Sequence, residues 1–254
     1  MKISVCGKGG SGKSTLVTLL ANEAQARGLR VLVVDSDESN SGLFRMLGFE
    51  QPPIPLMELV GGKKSLKEKM DQPSVLSQDQ IPLEHIPSPY MLKRNGLMLV
   101  SIGKILQALE GCACPMGVLS REFLKKLRLR ENEIAIVDME AGVEHFGRGI
   151  DTSIDFVLLV VEPSLESITL AERIKHLAAG IEKNVWAVLN KTTTEGLTSK
   201  LKVELKKRGI EVIGVIPSDP AVFEAGLEGH ALGQGKAAHQ VGRILDFLLE
   251  SARI

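Results

Sequence analysis

The sequence predicts an α/β protein built on a doubly wound, mostly parallel β-sheet with helices on both faces. Seven short segments are rich in valine, isoleucine and leucine and apolar at nearly every position, which is typical of strands covered on both faces. Segments with helical periodicity alternate with them, and this alternation is the second observation that favours the fold. In such a sheet the functional residues gather at the carboxyl ends of the strands.

The predicted elements follow one another in a regular order along the chain. Strands are predicted at Lys2–Cys6, Arg30–Asp35, Leu97–Ile102, Ile134–Asp138, Phe156–Glu162, Val185–Asn190 and Val212–Pro217. Helices are predicted near residues 13–27, 116–129, 164–181, 196–208 and 236–252. Seven prolines interrupt residues 50–95, where we expect loops and short helices rather than a second domain. We therefore expect a single domain over residues 1–254.

Composition and charge narrow the class of protein. A chain of 254 residues with 44% hydrophobic content can form one large core. The formal net charge is zero, so no overall field would attract nucleic acid or an acidic membrane. No apolar run approaches the roughly 18 residues that span a bilayer, and because a strand is predicted from residue 2 we expect no signal peptide. Three cysteines do not suggest a disulfide framework, and we expect a cytoplasmic protein without nucleic-acid or membrane partners.

A glycine-rich loop, Gly7-Lys8-Gly9-Gly10-Ser11-Gly12-Lys13-Ser14-Thr15, lies between the first predicted strand and the first helix. In this position the pattern G-x-x-x-x-G-K-[ST] indicates a phosphate-binding loop, whose backbone N–H groups surround phosphate oxygens at a helix N-terminus. Lys13 is expected to contact the β- and γ-phosphates, and the Ser14 hydroxyl to bind Mg²⁺. The predicted nucleotide-binding residues of the loop are Gly9, Gly10, Ser11, Gly12, Lys13, Ser14 and Thr15.

A second lysine, Lys8, directly follows the first glycine of the loop. A lysine there resembles the signature lysine of the deviant Walker A class of P-loop NTPases. That class includes chromosome-partitioning and division-site ATPases, the nitrogenase iron protein and metal-insertion ATPases. The resemblance implies that Lys8 reaches across a dimer interface and supplies positive charge to the transition state on the partner's nucleotide. Lys8 and Lys13 are therefore predicted catalytic residues, and a solvated surface lysine is the alternative for Lys8.

Carboxylates follow two of the predicted strands. We expect Asp35 to belong to the Mg²⁺ shell and Asp37 to orient the attacking water, as a catalytic and switch residue. A helix cap or turn acid is the alternative for both. Asp138 ends another apolar strand in the Walker B arrangement and is expected to bind Mg²⁺ directly or through water. Gly142, in the loop that follows, is a predicted switch residue that senses the γ-phosphate through its N–H group.

The last two strands end in residues that suit an adenine base. Asn190 and Lys191 follow one strand, and an amide side chain can both donate to and accept from a base edge. Pro217, Ser218 and Asp219 follow the last strand and are the other predicted wall of the base pocket. Ordinary turns are the alternative at both places.

Cys112 and Cys114 form a C-x-C pair flanked by glycine and proline, between a strand and a helix. Two thiolates that close can bind one soft or borderline metal ion. One chain supplies two ligands whereas Zn²⁺ and square-planar Ni²⁺ take four, so a symmetric dimer would complete the site. The alternatives are two ordinary buried cysteines or a redox pair. Cys6 lies in a predicted strand and is expected in the core.

Together these motifs resemble the CooC-type ATPases, accessory factors that insert nickel into carbon monoxide dehydrogenase and its acetyl-CoA synthase relatives. The likeness covers most of the chain outside 50–95 and rests on residues 7–14, 35–37, 112–114, 138–145, 161–164, 189–191 and 214–217. It implies a nucleotide-sandwich homodimer promoted by ATP and Mg²⁺, with Ni²⁺, or Zn²⁺, held by Cys112 and Cys114 at the dimer axis. Hydrolysis of ATP to ADP would reset the dimer during metal delivery to such a client enzyme.

The chain departs from this family at two points. It has no histidine-rich tail for storing nickel, and Glu38 stands where a proline is common in the class. An iron–sulfur cluster carrier or scaffold is the strongest alternative, because four thiolates across a dimer can also hold a cluster. A partitioning ATPase would need a basic DNA-binding surface, and a division-site ATPase a membrane-seeking terminal helix. The sequence favours neither of these two.

Overall fold

The computed structural model describes residues 1–39, 42–69, 72–104, 114–142, 153–233 and 235–252. The strands are β1 (Lys2–Gly7), β2 (Arg30–Asp35), β3 (Ile81–Pro82), β4 (Met91–Arg94), β5 (Leu97–Ser101), β6 (Leu127–Arg128), β7 (Glu133–Asp138), β8 (Phe156–Val161), β9 (Asn184–Thr192) and β10 (Glu211–Pro217). Eight of them form one sheet in the order β10-β9-β8-β1-β7-β2-β5-β4. All pairs are parallel except β4–β5. The predicted fold class is confirmed.

Helices connect the parallel strands and cover both faces of the sheet. They are α1 (Lys13–Ala26), α2 (Leu43–Met46), α3 (Leu56–Leu59), α4 (Gly62–Lys69), α5 (Cys114–Lys126), α6 (Leu165–Ala179), α7 (Glu195–Lys207), α8 (Pro220–Glu228) and α9 (Lys236–Ser251). Short polar side chains begin three of them: Ser164, Thr194 and Asp219 accept backbone N–H groups at the starts of α6, α7 and α8. The local sequence thus fixes where these helices start.

Two hydrophobic cores lie on opposite faces of the sheet. Alternate residues of a strand point to opposite faces, so Val31 and Val33 pack in one core while Leu32 and Val34 pack in the other. The first core contains α1 and the apolar stripe of α9. The second contains α5, α6 and α7 and also Cys6, whose predicted burial is confirmed. Burial raises the pKa of the Cys6 thiol to about 12.

The proline-containing segment 50–95 is more ordered than the sequence predicts. Besides the expected short helices and two 3₁₀ turns, it contains β4, which pairs antiparallel with β5 at the edge of the sheet. It also contains β3, which pairs with β6 outside the main sheet. The prediction missed β4 because Met91-Leu92-Lys93-Arg94 is half polar, as suits an edge strand. No described helix has both the length and the hydrophobicity that a bilayer span requires.

Candidate functional site

The glycine-rich loop connects β1 to α1 at the carboxyl edge of the sheet. Gly12 has φ +101° at the start of α1, and a Cβ there would overlap the Asn190 side-chain amide. Gly7 has φ +152°, and a Cβ there would lie 2.6 Å from the Val160 carbonyl oxygen. Only glycine suits both positions, because the left-handed backbone and the close neighbours exclude a side chain. The predicted loop therefore has the tight curvature that the motif requires.

The loop presents hydrogen-bond donors to an anion. No side chain caps the first turn of α1, so its backbone N–H groups and the helix dipole favour a negative charge there. The buried Ser11 hydroxyl has no hydrogen-bond partner among the described residues. Lys13 is buried, and its ammonium lies 3.5 Å from the Lys8 carbonyl oxygen, at the outer limit of a hydrogen bond. This arrangement suits the phosphate groups of a nucleotide.

Two buried aspartates lie beside the loop. Asp35 and Asp138 end adjacent strands and pair in register. The Ser14 hydroxyl donates to Asp138 Oδ2 at 2.6 Å. The Oδ1 atoms of both aspartates are buried without a hydrogen-bond partner in the described part of the chain. Burial raises the pKa of Asp138 to about 7, with a further contribution from the Asp35 charge, and burial raises the pKa of Asp35 to about 6.

The side-chain oxygen atoms of Ser14, Asp35 and Asp138 suit a magnesium ion. Mg²⁺ prefers hard oxygen ligands, and its charge would offset two carboxylates that burial has removed from water. The unpartnered Oδ1 atoms show that the described protein groups do not satisfy the pair alone. The sequence prediction of Ser14, Asp35 and Asp138 as a magnesium set remains a prediction, and the geometry is compatible with it.

The predicted switch residues lie on either side of this pair. Asp37 is buried, and its Oδ1 accepts from the N–H and the hydroxyl of Ser39, at 3.0 and 2.7 Å. This is the turn geometry that the sequence left open as its alternative role. Gly142 has φ +108°, which favours glycine. Glu38, the residue in place of the proline, is buried, and burial with the nearby Glu140 charge raises its pKa to about 7.

Lys8 forms an ion pair within its own subunit. Its ammonium lies 3.1 Å from Glu162 Oε1, and the Lys191 ammonium lies 3.4 Å from Glu162 Oε2. Burial raises the pKa of Glu162, but the hydrogen bond from Lys8 and the charge of Lys191 outweigh it, so that pKa lies below its usual value. Sequence reasoning missed Glu162 as a site residue, although Glu162-Pro163 follows β8 at the same edge as the other acids.

The predicted base-binding residues have structural partners of their own. Asn190 Nδ2 donates to the Ser11 carbonyl at 2.8 Å, and the Lys191 ammonium donates to the Gly10 carbonyl at 2.5 Å. Asp219 caps α8 and also accepts the Ala237 N–H at the start of α9, at 3.1 Å. Pro217 ends β10 and Ser218 is exposed beside it. Asn190 and Lys191 thus brace the phosphate loop, and the adenine contacts of all five residues stay predictions.

A fourth lysine, Lys104, contacts one member of the acid pair and was not predicted from the sequence. Its ammonium lies 2.7 Å from Asp35 Oδ2. The only sequence signal is its place just after a strand, because nothing local indicates that its side chain turns back towards β2.

The structure describes only one of the two cysteines of the C-x-C pair. Cys112 lies outside the described residues, and Cys114 is the first residue of α5. In the described part of the chain no group of three or more His, Cys, Asp or Glu side chains is arranged to hold a metal ion. The predicted nickel or zinc site on Cys112 and Cys114 remains a prediction.

Comparison with known proteins establishes the family. A profile of the CobQ/CobB/MinD/ParA nucleotide-binding domain matches residues 3–232. The chain belongs to this family. As a member of the CobQ/CobB/MinD/ParA family it is a P-loop ATPase that binds ATP.

Individual relatives support this assignment. An uncharacterised ATP-binding protein of Methanocaldococcus jannaschii is 43% identical over 91% of this chain and 94% of its own length. The carbon monoxide dehydrogenase accessory protein CooC of Rhodospirillum rubrum is 30% identical over 90% of this chain and 88% of its own length. The septum site-determining protein MinD of Pyrococcus horikoshii, complexed with Mg-ADP, matches in fold with a TM-score of 0.72 at 18% identity, over 99% of this chain and 96% of MinD.

Replacing Lys13 tests the phosphate loop. Lys13→Ala is expected to weaken ATP binding by about 100-fold, because a charge-assisted hydrogen bond in a buried site contributes about 2–3 kcal/mol. Fluorescence titration with a labelled ATP analogue measures this. Lys207→Ala, on the exposed surface of α7, is the control. Unchanged affinity in Lys13→Ala would remove Lys13 from the site.

Replacing Asp138 tests how far the buried acid pair lowers the thermal stability of the nucleotide-free protein. The folded protein holds a proton on Asp138 up to about pH 7, and the unfolded chain only up to about pH 4, so the nucleotide-free protein loses stability as pH rises between them. We expect Asp138→Asn to unfold at a higher temperature than the wild type at pH 8. A gain of about 2 kcal/mol corresponds to roughly 5 °C.

Thermal melts at pH 8 and pH 5 without Mg²⁺ or nucleotide measure this difference. The gain should shrink at pH 5, where the wild-type carboxyl is largely protonated. Asp79→Asn, at an exposed position, should change neither melt. An Asp138→Asn protein that melts lower than the wild type at pH 8 would contradict the account.

Proposed function

We propose that this ATPase is a metallochaperone that binds ATP as a nucleotide-sandwich homodimer and assists nickel insertion into carbon monoxide dehydrogenase or a related nickel enzyme. One observation carries the proposal. The chain is 30% identical, over 90% of its length, to a carbon monoxide dehydrogenase accessory protein, and it carries a C-x-C pair whose second cysteine begins α5. A thiol pair has no role in ATP hydrolysis itself, so it points to metal cargo.

The thiol pair of one chain needs a second copy of the chain to complete a four-ligand metal site. Cys112 and Cys114 supply two sulfur ligands, whereas Ni²⁺ in square-planar sites and Zn²⁺ in tetrahedral sites take four. A two-fold axis that passes between two C-x-C pairs would bring four sulfurs to one ion. The metal would then be bound only while two subunits are together, which couples cargo binding to the nucleotide cycle.

The nucleotide site supplies the other half of this coupling. Ser14, Asp35 and Asp138 would hold Mg²⁺, which neutralises charge on the β- and γ-phosphates. Lys13 would bind those phosphates within its own subunit, and Asp37 would accept a hydrogen bond from the attacking water and orient it. Lys8 would leave Glu162 and reach the phosphates of the partner subunit, so that ATP stabilises the dimer. The role of Lys8 is supported by its position after the first glycine and by its side chain, which is 39% exposed.

Replacing Lys8 tests the role across the interface. Lys8→Ala is expected to bind ATP within about 3-fold of the wild type, because its ammonium is not part of its own phosphate loop in this proposal. The same variant should lose ATP-dependent dimerisation and at least about 100-fold of the turnover rate. Sedimentation velocity and phosphate release measure the two effects, with Lys207→Ala as the control. A normal ATP-induced dimer in Lys8→Ala would refute this role.

Replacing both cysteines tests the cargo site. The double variant Cys112→Ser and Cys114→Ser should lose tight binding of Ni²⁺ while it still hydrolyses ATP, because hydroxyls are poor ligands for these metals. Cys6→Ala, in the core, is the matched control and should keep the metal. Metal analysis of anaerobically purified protein measures stoichiometry. A nickel content in the double variant equal to that of the wild type would place the site elsewhere, and a broad visible absorption band in the wild type would favour the iron–sulfur alternative.

A further inference from the structure

Lys104 forms a buried ion pair with one of the two candidate magnesium ligands. Its ammonium lies 2.7 Å from Asp35 Oδ2 and 2.5 Å from the carbonyl oxygen of Asp37. The Lys104 and Asp35 side chains are 14% and 8% exposed. Among the ion pairs of the phosphate-loop region this one is the least exposed, since Lys8 and Lys191 are about half exposed where they meet Glu162.

The fold fixes the approach of Lys104 to this pair. The Ile102 N–H donates to the Asp35 carbonyl at 2.9 Å, which continues the β2–β5 ladder beyond the end of β5. The next residue, Gly103, packs closely against α5, because a Cβ there would overlap the sulfur atom of Met116. Lys104 therefore starts from a tightly packed backbone and extends back to the acids. Its position is set by the sheet and by α5.

Among the described residues, only one of the two buried aspartates has an ion-pair partner. Asp35 and Asp138 end neighbouring strands, and the charges of Lys104 and Lys13 act on Asp35 and Asp138 respectively. Only Lys104 forms an ion pair with either carboxylate in the described chain. Both Oδ1 atoms stay without a partner. A divalent ion beside Asp35 would meet the Lys104 ammonium, and two cations that share one carboxylate repel each other.

We propose that Lys104 is a positioning residue that acts as an internal counter-cation for Asp35 and is displaced from it when Mg²⁺ binds with the nucleotide. The inference rests on the proposed nucleotide site. Before Mg²⁺ arrives, the Lys104 ammonium offsets the charge of Asp35 and holds its carboxylate in place, since a buried carboxylate without a cation is costly. Once Mg²⁺ is bound, the positive charge of Lys104 is no longer needed beside Asp35. Part of the free energy of Mg²⁺ binding is therefore used to move the Lys104 ammonium away. Lys104 thereby lowers the degree to which Mg²⁺ strengthens nucleotide binding.

The test measures the affinity for a fluorescent ADP analogue with and without Mg²⁺ and takes the ratio of the two. We expect Lys104→Met to raise this ratio about 5- to 10-fold over the wild type, because the competing cation is gone. Lys104→Arg keeps the cation and should keep the ratio within about 2-fold. A role in fold stability alone would change both affinities together and leave the ratio unmoved.

A matched control and a second variant complete the design. Lys126 pairs with Glu122 at 2.8 Å with similar burial, 13% and 15% exposed, but lies away from the acids, so Lys126→Met should leave the ratio unchanged. Lys104→Gln replaces Lys104→Met if the latter does not fold. In an Asp35→Asn background, Lys104→Met should no longer raise the ratio, because the shared carboxylate is absent.

Each outcome decides one question. A ratio that stays constant or falls in Lys104→Met and Lys104→Gln overturns the inference, and a fall would mean that Lys104 assists the metal or the phosphates directly. An equal rise in the Asp35→Asn background would also overturn it. Failure of the wild type to bind ADP at all would instead refute the proposed nucleotide site.

Discussion

Two carboxylates buried side by side at the ends of β2 and β7 are the constraint on which the rest of this site depends. The parallel sheet places Asp35 and Asp138 in register, and the helices on both faces remove them from water. Burial raises the pKa of both, which shows that their negative charge is unfavourable in the nucleotide-free chain. The Lys104 ammonium offsets part of that charge. On this account, bound Mg²⁺ offsets the rest.

The lysines of the site show how the chain holds positive charge before a nucleotide is present. Lys104 is paired with Asp35, and Lys8 and Lys191 share Glu162. Each meets a carboxylate of its own subunit, and Lys191 also donates to the Gly10 carbonyl of the phosphate loop. Nucleotide binding on this account is an exchange of partners, in which phosphates and Mg²⁺ replace internal ion pairs. On this account the partly exposed pairs on Glu162 would exchange readily, whereas the buried pair on Asp35 would resist.

Much of this architecture follows from local sequence, and some of it does not. The seven long parallel strands and the phosphate loop are readable because each is a continuous pattern whose meaning depends on its immediate neighbours. Strand β4 was missed because an edge strand needs only one apolar face, and Lys93 and Arg94 make it look like a turn. Lys104 and Glu162 were missed for a different reason. Their roles depend on partners far away in sequence, Asp35 for Lys104 and Lys8 for Glu162, which the sheet brings to the same edge. A local sequence pattern does not indicate such long-range contacts.

The link between this nucleotide site and a thiol-bound metal is the central claim. Native mass spectrometry of the full chain, loaded with Mg²⁺, a non-hydrolysable ATP analogue and nickel, tests it most directly. The account predicts a species with two chains, two nucleotides and one nickel ion, and no nickel on the single chain. Nickel bound one per monomer, or a nucleotide-loaded protein that stays monomeric, would contradict it.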